Sequence, residues 1–144
     1  MATTRVLRAI TICQPYAHLI ATPTEQLPGG LVRKRVENRT WFCAYRGPIA
    51  IHAGKSRKFM RSGDLETFPS LVFGAVLGIA EMVACVKLRN ASKPLPAEFH
   101  WLRSHVHAEG PYCFVLERFE PLKLPYYCSG KQGLWNAEIP EELI

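Results

Sequence analysis

Apolar and polar residues alternate along most of this chain in runs too short for long helices, which predicts many strands and few, short helices. The run VLRAITI (6–12) has the β-branched, alternating character of a strand. QPYAHLIAT follows, and its proline can open a helix because the N–H it lacks is one of the donors left unpaired there; a short helix is expected. PTEQLPGG, with two prolines and a Gly-Gly pair, is expected as a loop. VENRTW (36–41) and PIAIHA (48–53) read as the next strands, the second with Ile49 and Ile51 inward and His52 on the opposite face.

The polar piece SRKFMRSGDLETF predicts a short helix and loop over the sheet. FGAVLGIAEMVACVKL is the strongest strand signal, and its Gly74 and Gly78 mark the bends or bulges by which a small barrel closes. PAEFHWLRSHV reads as a helix with Phe99, Leu102 and Val106 on one stripe. YCFVLERFEPL and GLWNAEI are expected as the last strands, with Trp135 in the core. With no repeat and no regular βαβ alternation, the expected fold is α+β and mostly β, a small barrel with short flanking helices.

Composition narrows this picture. The chain of 144 residues suits one domain over 1–144, and 48% apolar with 21% charged residues is a folded, not a disordered, composition. The longest apolar stretch, LVFGAVLGIAEMVACV, is too short to span a bilayer and holds Glu81; near the N-terminus Gln14, Pro15, Tyr16 and His18 break up any signal-peptide core. A cytoplasmic protein with no membrane partner is expected. The five cysteines are odd in number and contain no C-x-x-C pair, so they read as reduced thiols. HWLRSHVH lacks the i, i+4 pair and acidic partner of a helical zinc site, and its histidines are expected at the surface. No metal and no cofactor are expected.

The net charge of +6 favours a polyanionic partner, and position says more than count. Lys34, Arg35, Glu37, Arg39, Arg46, His52 and Lys55 fall within one short stretch, and Lys55, Arg57, Lys58 and Arg61 extend it. On a strand, Glu37 and Arg39 share a face that Trp41 continues, which sets an acid, a guanidinium and an aromatic plane in one row. A carboxylate can accept from an exocyclic amine, Arg or Lys can meet phosphate, and Trp or Tyr can stack a base. The same residues also read as a structural ion pair beside a core tryptophan. His52, with Lys55 and Ser56 just beyond it, is a candidate general acid or base, or a buried histidine bonded to backbone.

This cluster and its flanks resemble the ASCH family, relatives of the PUA and EVE domains. The resemblance rests on AITICQPYAHLIA, KRVENRTW, YRGPIAIHAGKS, GPYCFVLERFEPLKLP and GKQGLWNA, and is weakest from Ser56 to Pro69. Lys34, Glu37 and Arg39 occupy the K, E and R of the G-x-K-x-x-E-x-R motif; Val32 stands at its glycine, and Gly29 and Gly30 lie upstream. The resemblance implies a PUA-like barrel with the motif in a cleft that binds RNA, a nucleotide or a modified nucleoside. The implied ligand-contacting residues are Gln14, Pro15, Tyr16, Lys34, Glu37, Arg39, Trp41, Tyr45, Arg46, His52, Lys55, Ser56 and Gln132, with Lys131 beside the last. Similar proteins include ribonucleases and acetylcytidine amidohydrolases, which implies Lys34, Glu37 and His52 as candidate catalytic residues. In the amidohydrolases a threonine nucleophile stands where this chain has Glu37, and a carboxylate can activate water but cannot repeat acyl-enzyme chemistry. A reader of RNA or nucleotides and a hydrolase are thus the two expectations, with a protein-interaction adaptor as a third.

Overall fold

The computed structural model describes residues 3–89 and 93–144. In chain order the elements are β1 (Thr4–Ile12), α1 (Tyr16–Ala21), β2 (Val36–Arg39), β3 (Gly47–Ala53), α2 (Asp64–Thr67), β4 (Ala75–Lys87), β5 (Tyr112–Tyr127) and β6 (Leu134–Pro140). Short 3-10 turns occupy Thr24–Gln26, Ala97–Arg103 and Glu141–Leu143. The strands expected from alternation all form. The segment expected as a helix around Phe99 is a 3-10 turn that buries Leu102, whereas Val106 is 71% exposed and belongs to no apolar stripe.

All six strands share one mixed sheet in the order β2-β5-β4-β3-β1-β6, with β1 and β3 parallel and the other neighbours antiparallel. The sheet is not closed, because the edge strands β2 and β6 do not pair with each other. It is nevertheless strongly curled. The Arg39 side chain on edge strand β2 reaches the Thr11 carbonyl on β1, near the opposite edge, at 2.8 Å. Register shifts along β4 supply the bending, one against β3 at Ile51/His52 and three against β5. At Gly78 a β-carbon would collide with the Glu120 carbonyl and the Phe119 ring, so glycine alone fits that crossing.

Curling creates an inside. Ile10 and Ile12 of β1, Ile49 and Ile51 of β3, Met82 of β4 and Phe114 of β5 pack together there with Ala17 and Ile20 of α1. The helix lies against this core through its apolar face, and its Leu19 carbonyl accepts the Lys34 amide at 3.0 Å. On the other face of β1, β3 and β6, Ala9, Ala50, Trp135 and Ile139 form a second cluster, so β3 is buried on both faces. A third cluster joins Val36 and Val115 to Leu102 of the 3-10 turn. On β1, β3 and β6 the clustering positions follow the two-residue strand period, whereas on β4 the register shifts send Val76, Met82 and Ala84 to three different clusters. No helix among the described residues is long and apolar enough to cross a membrane.

Candidate functional site

At the C-terminal ends of the parallel pair β1 and β3, where the curled sheet brings β2 alongside, lies an open cleft of about 890 Å3. That volume falls within the roughly 300–1,000 Å3 common for small-ligand sites. Of the residues expected to contact a ligand, Tyr16, Lys34, Glu37, Arg39, Trp41, His52, Lys55 and Gln132 line it.

The centre of the cleft is a chain of three charges. Lys34 is nearly enclosed, its side chain 4% exposed; its Nζ donates to the Val36 carbonyl at 2.6 Å and to Glu37 Oε1 at 3.0 Å. Arg39 Nε donates to Glu37 Oε2 at 3.0 Å, with Nη2 2.7 Å from the same oxygen. β2 makes this arrangement local, since alternation sets Glu37 and Arg39 on one face while Val36 turns into the core. Each carboxylate oxygen accepts one hydrogen bond from a cation, so Glu37 retains acceptor capacity, and Lys34 and Arg39 retain unspent N–H groups.

Aromatic rings flank the charges. The ammonium of Lys34 lies 5.5 Å from the Tyr16 ring centroid, and Tyr16 meets Phe59 edge to face at 5.6 Å. Trp41 packs against the buried Phe114 at 5.1 Å yet stays 37% exposed, which leaves part of its indole available to a ligand.

His52 is of a different kind. It is 1% exposed, and its Nε2 lies 2.7 Å from the Cys128 carbonyl, a group that can only accept, so Nε2 carries the proton. Nδ1 then accepts from the Thr11 hydroxyl at 3.2 Å, and that hydroxyl in turn accepts from Trp135 Nε1 at 3.1 Å. Burial lowers the pKa of His52 below the ordinary histidine value, with Lys55 acting in the same direction and the Cys128 carbonyl opposing. The imidazole is neutral and fully engaged. Its partners hold it in place and leave no ring nitrogen for a ligand.

Five expected contact residues do not line the cleft, each for a visible reason. Gln14 is buried as a clamp, donating to the Val72 carbonyl and accepting the His18 amide, both at 2.8 Å. Pro15, after a cis peptide bond, is the residue from which α1 starts. Tyr45 donates to the Pro48 carbonyl at 2.6 Å, and Arg46 donates to the Cys43 and Tyr45 carbonyls at 2.9 and 2.7 Å. Both precede β3, a seven-residue strand, and so lie about 20 Å from Gly54 and Lys55 at its far end at the usual strand rise. Ser56 accepts the Lys58 amide at 3.3 Å and does not line the cleft, although Lys55 and Lys58 on either side of it do.

The cleft also gathers residues that the sequence did not select: Thr11, Asn38, Phe59, His107, Glu109 and, around the expected Lys131 and Gln132, Ser129, Gly130 and Gly133. Asn38 carries two of them. Its Nδ2 donates to the His107 carbonyl, and its Oδ1 accepts the Glu109 and Gly110 amides, all at 2.9 Å. An asparagine between the two charges of the motif, on the opposite strand face, was the available signal. His107 donates from Nε2 to the Val32 carbonyl at 3.1 Å and so lies at the cleft, not on an open surface. Its neighbour His105 accepts the Arg35 amide at 3.1 Å, and burial, then His107, Arg35 and Lys34, push its pKa down to about 4.

None of the five cysteines is disulfide-bonded. A smaller cavity of about 190 Å3 shares Lys34 with the cleft and is lined by Arg33, Arg35, Arg118 and Phe119. In comparisons with known proteins, neither a family model nor any curated protein matches this chain.

Proposed function

We propose that the cleft binds a nucleotide unit, free or within single-stranded RNA, and that the fold is a PUA-like barrel of the ASCH type with an incompletely closed sheet. The observation that carries the reading is the coexistence, in one cleft of about 890 Å3, of the Lys34–Glu37–Arg39 chain with the exposed aromatic rings of Trp41 and Phe59. Glu37 has acceptor capacity for an exocyclic amine, Lys34 and Arg39 have donors for carbonyl or phosphate oxygens, and the rings offer stacking faces. A purely structural ion pair needs neither the open volume nor the half-exposed indole.

Hydrolysis of RNA or of a modified nucleoside such as acetylcytidine receives less support. It requires a base free to take a proton from water or substrate. His52 has both nitrogens engaged, and Glu37 is held between two cations.

Titration of single-stranded RNA at two salt concentrations tests the binding reading. Affinity is expected to fall as salt rises, because lysine and arginine contacts release counterions from phosphate. Trp41→Ala is expected to weaken binding by roughly 1–3 kcal/mol through loss of stacking. Absence of binding at low salt would sink the proposal.

A further inference from the structure

The cleft is chemically lopsided. Its two carboxylates, Glu37 and Glu109, belong to β2 and to the loop that Asn38 holds beside it, and Trp41 stands on the same side. The remaining wall is built from Gly54, Lys55, Lys58 and Phe59 after β3 and from Ser129–Gly133 between β5 and β6. These two segments meet around Thr11: a β-carbon on Gly54 would lie 3.1 Å from Thr11 Cγ2, and one on Gly130 would collide with Thr11 Oγ1. This wall contributes Lys55, Lys58 and Lys131 to the cleft and no acidic residue. None of the three lysines forms an ion pair among the described residues.

The backbone adds to the cations. Cys128 donates to the Gly74 carbonyl, and from Leu134 onward the chain pairs with β1. Between them, the five amides of Ser129–Gly133 donate no hydrogen bond among the described residues. Gly130 is pressed so closely on Thr11 and His52 that a β-carbon would also lie 2.7 Å from His52 Cε1, so no side chain shields the backbone there. The Lys55 stem is held against Gly74, where a β-carbon would come within 2.9 Å of Lys55 Cε. Lysines without counter-charges beside unspent amides form a concavity suited to a phosphate group.

We propose that this wall is a phosphate subsite: Lys55, Lys58, Lys131 and the amides of Ser129–Gly133 receive the phosphate of a nucleotide whose base lies toward Trp41 and Glu37. The inference rests on the nucleotide reading of the cleft and adds a polarity to it. The phosphate is either the monoester of a free mononucleotide or the diester of an RNA strand.

The test is calorimetric titration of the four ribonucleosides, their 5′-monophosphates and a dinucleoside monophosphate into wild type, the double variant Lys58→Ala/Lys131→Ala and the conservative variant Lys131→Arg. Lys58 and Lys131 are exposed, so the folded state is expected to persist, which a thermal melt checks. At least one phosphorylated ligand is expected to bind about tenfold or more tightly than its nucleoside, the gain from charge-assisted bonds. The double variant is expected to erase that gain and Lys131→Arg to retain most of it. Preference for the monophosphate identifies a mononucleotide site, and preference for the dinucleoside identifies an RNA site. Nucleosides binding as tightly as their phosphates would overturn the subsite and leave the base-binding reading standing. If no nucleoside, nucleotide or RNA binds, the nucleotide reading falls. Inorganic phosphate added to 15N-labelled protein then decides the subsite by itself: shifts centred on the Ser129–Gly133 amides uphold it, and their absence overturns it.

Discussion

Two polar networks meet at the same cleft, and they differ in what they leave undone. Thr11, His52 and Trp135 form a neutral chain in which each member serves the next, with the Cys128 carbonyl at one end and Gly130 packed on top. Lys34, Glu37 and Arg39 form a charged chain that keeps donors and acceptors unspent beside open volume. No buried side-chain nitrogen or oxygen among the described residues lacks a partner, so satisfaction alone does not separate the two. Spare capacity does. A neutral, saturated network fixes the position of a loop, whereas a charged and incompletely used one can exchange partners with a ligand.

The largest effect that tests this contrast is expected from Glu37→Ala. It leaves Lys34 and Arg39 close together without their counter-charge and is expected to cost about 3 kcal/mol or more, read from the urea midpoint. An unchanged midpoint would show that the charged chain is not a unit. Thr11→Val comes next. It deprives Trp135 Nε1 of its acceptor and His52 Nδ1 of its donor, an expected loss of about 1–3 kcal/mol. Because no cation is removed, the salt dependence of RNA binding should keep its slope. A changed slope would move Thr11 from the supporting group to the binding group.

Acid provides a milder probe. His18, His52, His105 and His107 all have folded-state pKa values below the ordinary histidine value, so the unfolded chain takes up protons first as pH falls. For His105 the stabilising contribution is complete above about pH 6.5 and is lost as pH drops toward about 4. Melting temperature is therefore expected to fall across that window, and His105→Gln, which keeps an acceptor for the Arg35 amide, should flatten the fall. A profile identical to wild type would exclude His105 as a contributor. The smallest effect is expected from Arg46→Gln. Its guanidinium is bonded to the Cys43 and Tyr45 carbonyls and does not line the cleft, so RNA affinity should change by less than about twofold.

Legibility followed the range of the interaction. Glu37 and Arg39 were readable as a pair because a strand turns every second residue to the same side, and Ile49 and Ile51 were readable as core for the same reason. Tyr45 and Arg46 were grouped with the motif by nearness in sequence, yet they do not line the cleft, since a strand carries its two ends far apart. His52 was correctly set on the face opposite Ile51, but alternation gave no sign that Thr11, Cys128 and Trp135 would surround it there.

By itself, then, the sequence determined the strands, the mostly-β class, the buried positions of β3 and the charged row on β2, all consequences of dihedral period and side-chain chemistry acting over a few residues. The tertiary structure alone decided that the sheet stays open, that β2 curls round to meet β1, and that Thr11, Phe59 and Glu109 complete the cleft. Those outcomes depend on how register shifts and the close crossing at Gly78 bend a sheet, and on where segments distant in sequence come to rest against it. No local alternation of polar and apolar residues encodes that placement.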